Sequence, residues 1–327
     1  MTPKRRICTR TFGLNNGTHI PAVGLGTWQG FGNATETEKI RDSIIHALHS
    51  GYRLIDTAQA YSVEPIVGEA VRSSGVPREE ITVITKFIGC DPVAALQNSL
   101  DALGLDYVDI FLMHWPCTLS PDGKRGQGID KPPTFVDTWR LMEGCVGERC
   151  RMIGVSNFTQ KTLDALLRET TTIPVVNQVE LHALNPNLKL VPYCQERGIQ
   201  VISWSTMGGG AEFTPRAREI LTNPLFQQIA ARHECSTGVV SLSWAVQRGV
   251  IVIPKSSSPN RIEENIRLVT LNKHEMEGIN NAHRIIGRLR IADHIQGMQR
   301  GPDGKSTFLG WTLQDFGWED AEGNWLT

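Results

Sequence analysis

Eight short apolar runs, each followed by a helix-like stretch, leave this chain few folds to adopt. The runs cover residues 23–26, 53–56, 83–86, 108–114, 152–156, 175–179, 200–204 and 250–254. Helix-like segments between them include 35–50, 92–103, 159–168 and 226–233. In the first, Ile40, Ile44, Ala47 and Leu48 recur at helical spacing and form one apolar face. Strands alternating with helices imply a parallel sheet fed by crossover helices. Eight such units favour a closed (β/α)8 barrel over an open doubly wound sheet. The open Rossmann sheet lacks its signature here. Gly24-Leu-Gly26-Thr-Trp-Gln-Gly30 is GxGxxxG, with no strand–helix–strand unit carrying a ribose-binding acid around it.

Ahead of the barrel, Asn16-Gly17 sits between apolar flanks, and this pair suits a tight type I′ hairpin turn. The 327 residues read as one domain: a hairpin at about 11–20, the barrel at about 22–270 and an extension at about 284–327. The extension carries Trp311, Trp318 and Trp325 among acidic and glycine residues, which suggests docking, over a pocket on the active-site face or on the barrel flank. A net charge of −1 gives no overall case for a nucleic-acid partner. The basic start at Lys4-Arg5-Arg6 precedes no long apolar run, and no stretch approaches the roughly 18 apolar residues that span a bilayer. Seven scattered cysteines without CxxC spacing read as reduced thiols, so a cytoplasmic protein, a monomer or weak homo-oligomer, is expected. Two motifs are decoys. Residues 301–306 imitate a phosphate loop but have Gln299 where a glycine is needed, and His233-Glu234 lacks the second histidine of a zinc helix, so no metal is expected.

Barrel active sites assemble at the C-terminal ends of the strands. Read as one ring, the run ends bring Asp56, Lys86, His114, Ser156, Asn157, Gln178, Trp204 and Lys255 together, with Tyr61 in the loop after the second strand. A free tyrosine titrates near ~10, too weak an acid for an alkoxide at neutral pH, and an adjacent ammonium should lower it. A carboxylate keeps that lysine charged and in place, and a histidine can donate to a carbonyl oxygen where negative charge develops. A proton donor beside an oxyanion site, with neither metal motif nor nucleophile elbow, fits hydride transfer to a carbonyl.

With these residues in place, the chain resembles the aldo-keto reductases over nearly its whole length. The matching fragments are Gly24-Leu-Gly-Thr-Trp28, Gly51-Tyr-Arg-Leu-Ile-Asp-Thr-Ala58 with Tyr61, and Ile84-Thr-Lys86. They continue as Leu112-Met-His-Trp-Pro116, Ile153-Gly-Val-Ser-Asn-Phe158, Asn177-Gln-Val-Glu180 and Ile253-Pro-Lys-Ser256 with Arg261, Glu264 and Asn265. The resemblance implies that Asp56, Tyr61, Lys86 and His114 form a catalytic tetrad, with Tyr61 the general acid. It further implies NADPH as cofactor. Gly26, Thr27, Trp28 and Asp56 would lie along it, Ser156, Asn157 and Gln178 would hold the nicotinamide carboxamide, and Trp204 would stack where the family usually has tyrosine. Ser205 matches its family position, although the following Thr206-Met-Gly-Gly-Gly210 departs from the usual Ser-Pro-Leu-Gly run. Lys255, Ser256 and Arg261 match the 2′-phosphate pocket, and two cations with a hydroxyl suit a phosphate dianion. Glu263 and Glu264 are competing partners for Arg261. Glu264 and Asn265 match adenine contacts. Trp28, Tyr61, His114 and Trp115 would wall the substrate pocket.

The expected function is NADPH-dependent reduction of a small aldehyde or ketone. The alternatives are a nucleotide-binding regulatory subunit, or a pathway reductase with an unusual substrate such as an iminium or an oxidative direction. Substrate choice should rest with residues 117–133, the loop after Trp204 and the tail after Arg284.

Overall fold

The computed structural model describes residues 5–30, 37–120, 123, 126–210, 213–294, 298–300 and 306–326. Lys4, Thr35, residues 121–122 and 124–125 of the expected specificity segment, 211–212 of the loop after Trp204, and 301–305 of the phosphate-loop imitation lie outside these. Strands β1 (Thr11–Gly13) and β2 (His19–Pro21) form an antiparallel hairpin. Eight parallel strands follow: β3 (Leu25–Gly26), β4 (Leu54–Asp56), β5 (Thr82–Phe87), β6 (Val108–Met113), β7 (Cys150–Ser156), β8 (Val176–Glu180), β9 (Gln200–Trp204) and β10 (Ile251–Val252). Each pairs with its sequence neighbour. The sheet curls until Val23 pairs with Val252, with Gly24 N donating to Val252 O at 2.8 Å and Val252 N to Ala22 O at 3.0 Å. Each of the eight apolar runs overlaps one strand of this (β/α)8 barrel. The last run is shorter than expected because Pro254 has no N–H to extend the ladder.

The crossovers are α1 (Thr37–His49), α2 (Glu64–Ser73), α3 (Pro92–Leu103), α4 (Phe135–Glu143), α5 (Gln160–Glu169) and α6 (Leu190–Glu196). Then come α7 (Glu219–Thr222), α8 (Pro224–Arg232), α9 (Thr237–Gln247) and α10 (Pro259–Asn265). In α1, Ile40, Ile44, Ala47 and Leu48 are the buried face, as their spacing requires. Thr159 caps α5, its N–H bonded to Thr162 Oγ1 at 2.9 Å.

The barrel interior is filled by Leu54, Ile84, Ile110, Leu112, Val176, Ile202 and Ile251, each worth about 1.5–3 kcal/mol of burial. Leu14 and Ile20 of the hairpin join this cluster, and Asn15 Nδ2 donates to Pro174 O at 3.1 Å just before β8. The hairpin therefore plugs the end opposite the one where chemistry is expected. Its turn is not type I′. Gly17 has φ +87° but Asn16 is not in the left-handed region, and Gly17 N donates to Leu14 O at 3.0 Å. The Asn16 amide oxygen accepts from the Thr18 N–H at 3.0 Å and hydroxyl at 2.8 Å, so a side chain rather than a second positive φ sets the turn. Beyond the barrel, β11 (Met298–Arg300), β12 (Ser306–Phe308) and β13 (Trp311–Thr312) form a small antiparallel sheet.

Candidate active site

Parallel register delivers the polar strand ends to one rim: Gly26 pairs with Asp56, Lys86 with Leu112, Ser156 with Gln178 and Glu180 with Trp204. Lys86 Nζ donates to Asp56 Oδ1 at 2.7 Å, to Thr57 O at 2.8 Å and to the Tyr61 hydroxyl at 3.4 Å. Asp56 uses its other oxygen to accept from Gln178 Nε2 at 2.7 Å. Lys86 is fully buried and Asp56 nearly so, which a charged pair tolerates only when its hydrogen bonds are filled. The His114 ring meets Tyr61 edge-on at 5.7 Å. The four residues expected to act together are thus brought together.

Their protonation departs from expectation at one point. Burial raises the Tyr61 hydroxyl above its ordinary range, Lys86 pulls it down, and Asp56 pushes it up again. The expected lowering by the ammonium does not win, because Lys86 is half of a neutral pair in a desolvated site. Burial also raises the Asp56 carboxyl, against the pull of Lys86. For Lys86, burial opposes the charge, but Asp56 and Tyr61 together outweigh it and its pKa rises. Burial, then Lys86, hold His114 well below its usual range, so its imidazole is neutral. Its Nδ1 has no hydrogen-bond partner among the described residues. Glu64, at the head of α2, was not anticipated. This buried carboxyl accepts from Thr85 Oγ1 at 2.6 Å, and Lys86 is among the charges acting on it. A lone glutamate opening a helix carries no sequence signal of such a place.

The next group along the rim is already bonded within itself. Ser156 Oγ donates to Gln178 O at 2.8 Å, and Asn157 Nδ2 donates to His114 O at 2.9 Å and Ser156 Oγ at 3.2 Å. Asn157 Oδ1 accepts from Trp204 Nε1 at 3.0 Å. The Ser156 hydroxyl and the Asn157 amide oxygen are acceptors on this rim, the chemistry that the N–H bonds of a carboxamide call for. Asn157 and Ser205 both adopt positive φ, +64° and +52°.

Beside Gly26 and Thr27 opens a cavity of about 310 Å³ whose wall also includes Lys255 and Ser256. A Cβ on Gly26 would stand 2.7 Å from Ile253 O, so glycine lets the two segments close on each other there. Ser256 Oγ accepts from Arg261 Nε at 3.4 Å. The competing glutamates turn elsewhere: Glu263 toward His46 at 3.4 Å, Glu264 toward Arg5 at 3.7 Å and the Ser236 N–H at 3.0 Å. Asn265 is buried on the inner face of α10. Four residues expected along the cofactor therefore line one polar cavity, with room and cationic chemistry for the phosphate-bearing part of a dinucleotide.

Comparison with known proteins agrees with this geometry. The model of the Aldo/keto reductase family matches residues 22–284. The chain belongs to the aldo/keto reductase family. It is 38% identical to glycerol 2-dehydrogenase (NADP(+)) of Saccharomyces cerevisiae, over 86% of this chain and 94% of that one. Aldehyde reductase YPR1 of the same yeast is 36% identical over equal shares. The crystal structure of a Bombyx mori aldo-keto reductase in complex with NADP superposes with a TM-score of 0.75 at 33% identity, covering 84% of this chain and 93% of that one.

In this aldo/keto reductase the tail docks on the active-site side. Trp115 is buried against Phe308 at 4.7 Å, Phe316 at 5.8 Å and Trp318 at 6.1 Å. Trp115 is therefore covered by tail residues rather than presenting a bare face, and Trp28 stacks on Phe213 at 5.0 Å. Glu180 fastens the tail, accepting from the N–H groups of Ile291 at 2.7 Å and Ala292 at 2.8 Å and from His182 at 2.9 Å. Phe213, Phe308, Phe316 and Glu180 were not singled out from sequence. Only the run of tail tryptophans hinted at such docking.

Proposed function

We propose that this chain reduces a small aldehyde or ketone with NADPH, Tyr61 delivering the proton and His114 positioning the carbonyl oxygen. When bound, the cofactor supplies a hydride to the carbonyl carbon. The protein's own work is electrostatic. Tyr61, protonated at rest, gives its hydroxyl proton to the oxygen, and the phenolate left behind is stabilised by Lys86. Asp56 keeps Lys86 charged and aimed. Neutral His114 can offer an N–H without adding a charge that would repel Lys86. The observation that carries this reading is the Lys86 ammonium bonded at once to Asp56 Oδ1 and the Tyr61 hydroxyl, beside His114.

Ser156, Asn157 and Gln178 would hold the carboxamide, Trp204 would cover the ring, and Lys255, Ser256 and Arg261 would hold the 2′-phosphate. The substrate is a small carbonyl compound meeting Trp28, Tyr61 and His114. No described helix is long and apolar enough to cross a membrane. The test is oxidation of NADPH by purified protein, followed by absorbance against a panel of aldehydes and ketones. The wild type should turn over and Tyr61→Phe should not, while still binding NADPH. Equal loss of turnover and binding in that variant would remove Tyr61 from the acid's role.

A further inference from the structure

We propose that Glu64 is a positioning residue for the proton donor: its buried carboxylate ties the turn that carries Tyr61 to the strand that carries Lys86, and so sets the separation of the two. This inference deepens the reductase reading above and rests on it. Tyr61 ends a short helical turn, Gln59–Tyr61, and Glu64 opens α2 just beyond it. Lys86 follows Thr85 on β5. Successive strand side chains face opposite ways. Ile84 and Lys86 point into the barrel, so Thr85 points out into the helix layer. There Thr85 Oγ1 donates to Glu64 Oε1 at 2.6 Å, the length of a hydroxyl bonded to a charged carboxylate.

A carboxylate in the first turn of a helix ordinarily sits in solvent near the positive end of the dipole. Glu64 is only 5% exposed and is turned to β5 and α3 instead. The Ser99 hydroxyl of α3 is its second donor, and Lys86 is the charge that acts on it. Ser99 Oγ in turn accepts from Gln59 Nε2 at 3.0 Å, and the same nitrogen donates to Ala95 O at 2.6 Å. The bonds run one way, from Gln59 through Ser99 to Glu64 and from Thr85 to Glu64, so the network closes on the carboxylate as acceptor. Gln59 and Glu64 flank Tyr61 in the chain. The Tyr61 segment is therefore held on both sides, to α3 at Gln59 and to β5 at Glu64. A buried polar network with its partners filled fixes one arrangement rather than several. What it fixes here is the span from the Tyr61 hydroxyl to Lys86 Nζ. At 3.4 Å that contact is at the long end for a hydrogen bond, so a small lengthening breaks it.

Purified wild type, Glu64→Ala, Glu64→Gln and Thr85→Val are compared for kcat and KM with an aldehyde that the wild type reduces. NADPH affinity is read by quenching of tryptophan fluorescence, and stability by urea midpoint. Glu64→Ala should lower kcat by roughly 10- to 100-fold, the scale of a small misplacement of a reacting group, with KM and NADPH affinity unchanged. Glu64→Gln keeps an acceptor for Thr85 and should restore most of that kcat. Thr85→Val removes the bond with little change of shape and should lower kcat in the same direction, so the test stands even where Glu64→Ala fails to fold. Loss of stability in Glu64→Ala and Thr85→Val at wild-type kcat overturns the inference and leaves Glu64 a strut between helices and sheet. Equal losses of kcat and NADPH affinity overturn it as well. A wild type that reduces no carbonyl compound with NADPH overturns the reductase reading, and this inference with it.

Discussion

The indole Nε1 of Trp204 donates to Oδ1 of Asn157 at 3.0 Å, and this bond fixes which way the Asn157 amide points. With Oδ1 held by Trp204, Nδ2 is turned toward His114 O and Ser156 Oγ. Residues on β9 and after β7 are so coupled to the backbone of the expected oxyanion residue. A tryptophan in place of tyrosine keeps a flat π-surface and gains a donor at its edge. Trp204→Phe keeps a ring and loses the donor. One buried hydrogen bond is worth about 0.5–1.5 kcal/mol, so NADPH should bind roughly 3- to 10-fold more weakly. Titration calorimetry of this variant, Asn157→Ala and the double variant checks it, and strictly additive losses would mean that the bond contributes nothing.

Breaking the Lys86–Asp56 pair should cost stability as well as turnover. Removing one partner of a buried pair typically costs about 3–5 kcal/mol, because the other charge is left without compensation. Asp56 is already raised by burial and can take up a proton when Lys86 is gone, so Lys86→Met should fall at the low end. Urea denaturation with activity measured in parallel provides the test. A variant as stable as wild type would show that the pair carries no structural load.

His114 should give no acid limb near the ordinary histidine range. Its pKa is pushed well down, so it stays neutral as pH falls through ~6.5. Tyr61 is raised, so reduction should hold its rate on the alkaline side past ~10, while alcohol oxidation, which needs the phenolate, should climb there. The same His114 shift has a stability consequence. Below ~6.5 the unfolded chain takes a proton at this residue and the folded one does not, so stability present above that pH is lost progressively as pH falls. Rate profiles in both directions and urea midpoints between pH 5 and 8 read these signs. A rate limb near 6.5 that His114→Gln removes would contradict the assignment.

Glu180 should control the tail. Glu180→Ala strips the acceptor from the Ile291 and Ala292 N–H groups, and an unsatisfied buried donor costs about 1–3 kcal/mol. The expected result is faster proteolysis after Arg284 and a raised KM for bulky substrates, with little change in NADPH affinity. Limited proteolysis read by mass spectrometry checks the first, and an unchanged cleavage pattern would place the fastening elsewhere.

The alternation of eight apolar runs with amphipathic stretches determined the barrel, because a run buried on both faces and joined by helices has few other ways to hide its surface. The same alternation placed Asp56, Lys86, His114 and Gln178 at run ends, and a barrel gathers run ends on one rim. These signals are local, each carried within about ten residues of chain. Tertiary structure decided what depends on contacts between distant segments. The turn at Asn16-Gly17 was set by a side-chain bond that competes with the backbone preference of the pair. The Tyr61 shift turned on burial and on the neutrality of the Lys86–Asp56 pair, neither of which a list of charges contains. Glu64 on Thr85, Glu180 on the tail N–H groups and Trp204 on Asn157 follow from packing between elements, and a sequence states packing only through the fold it adopts.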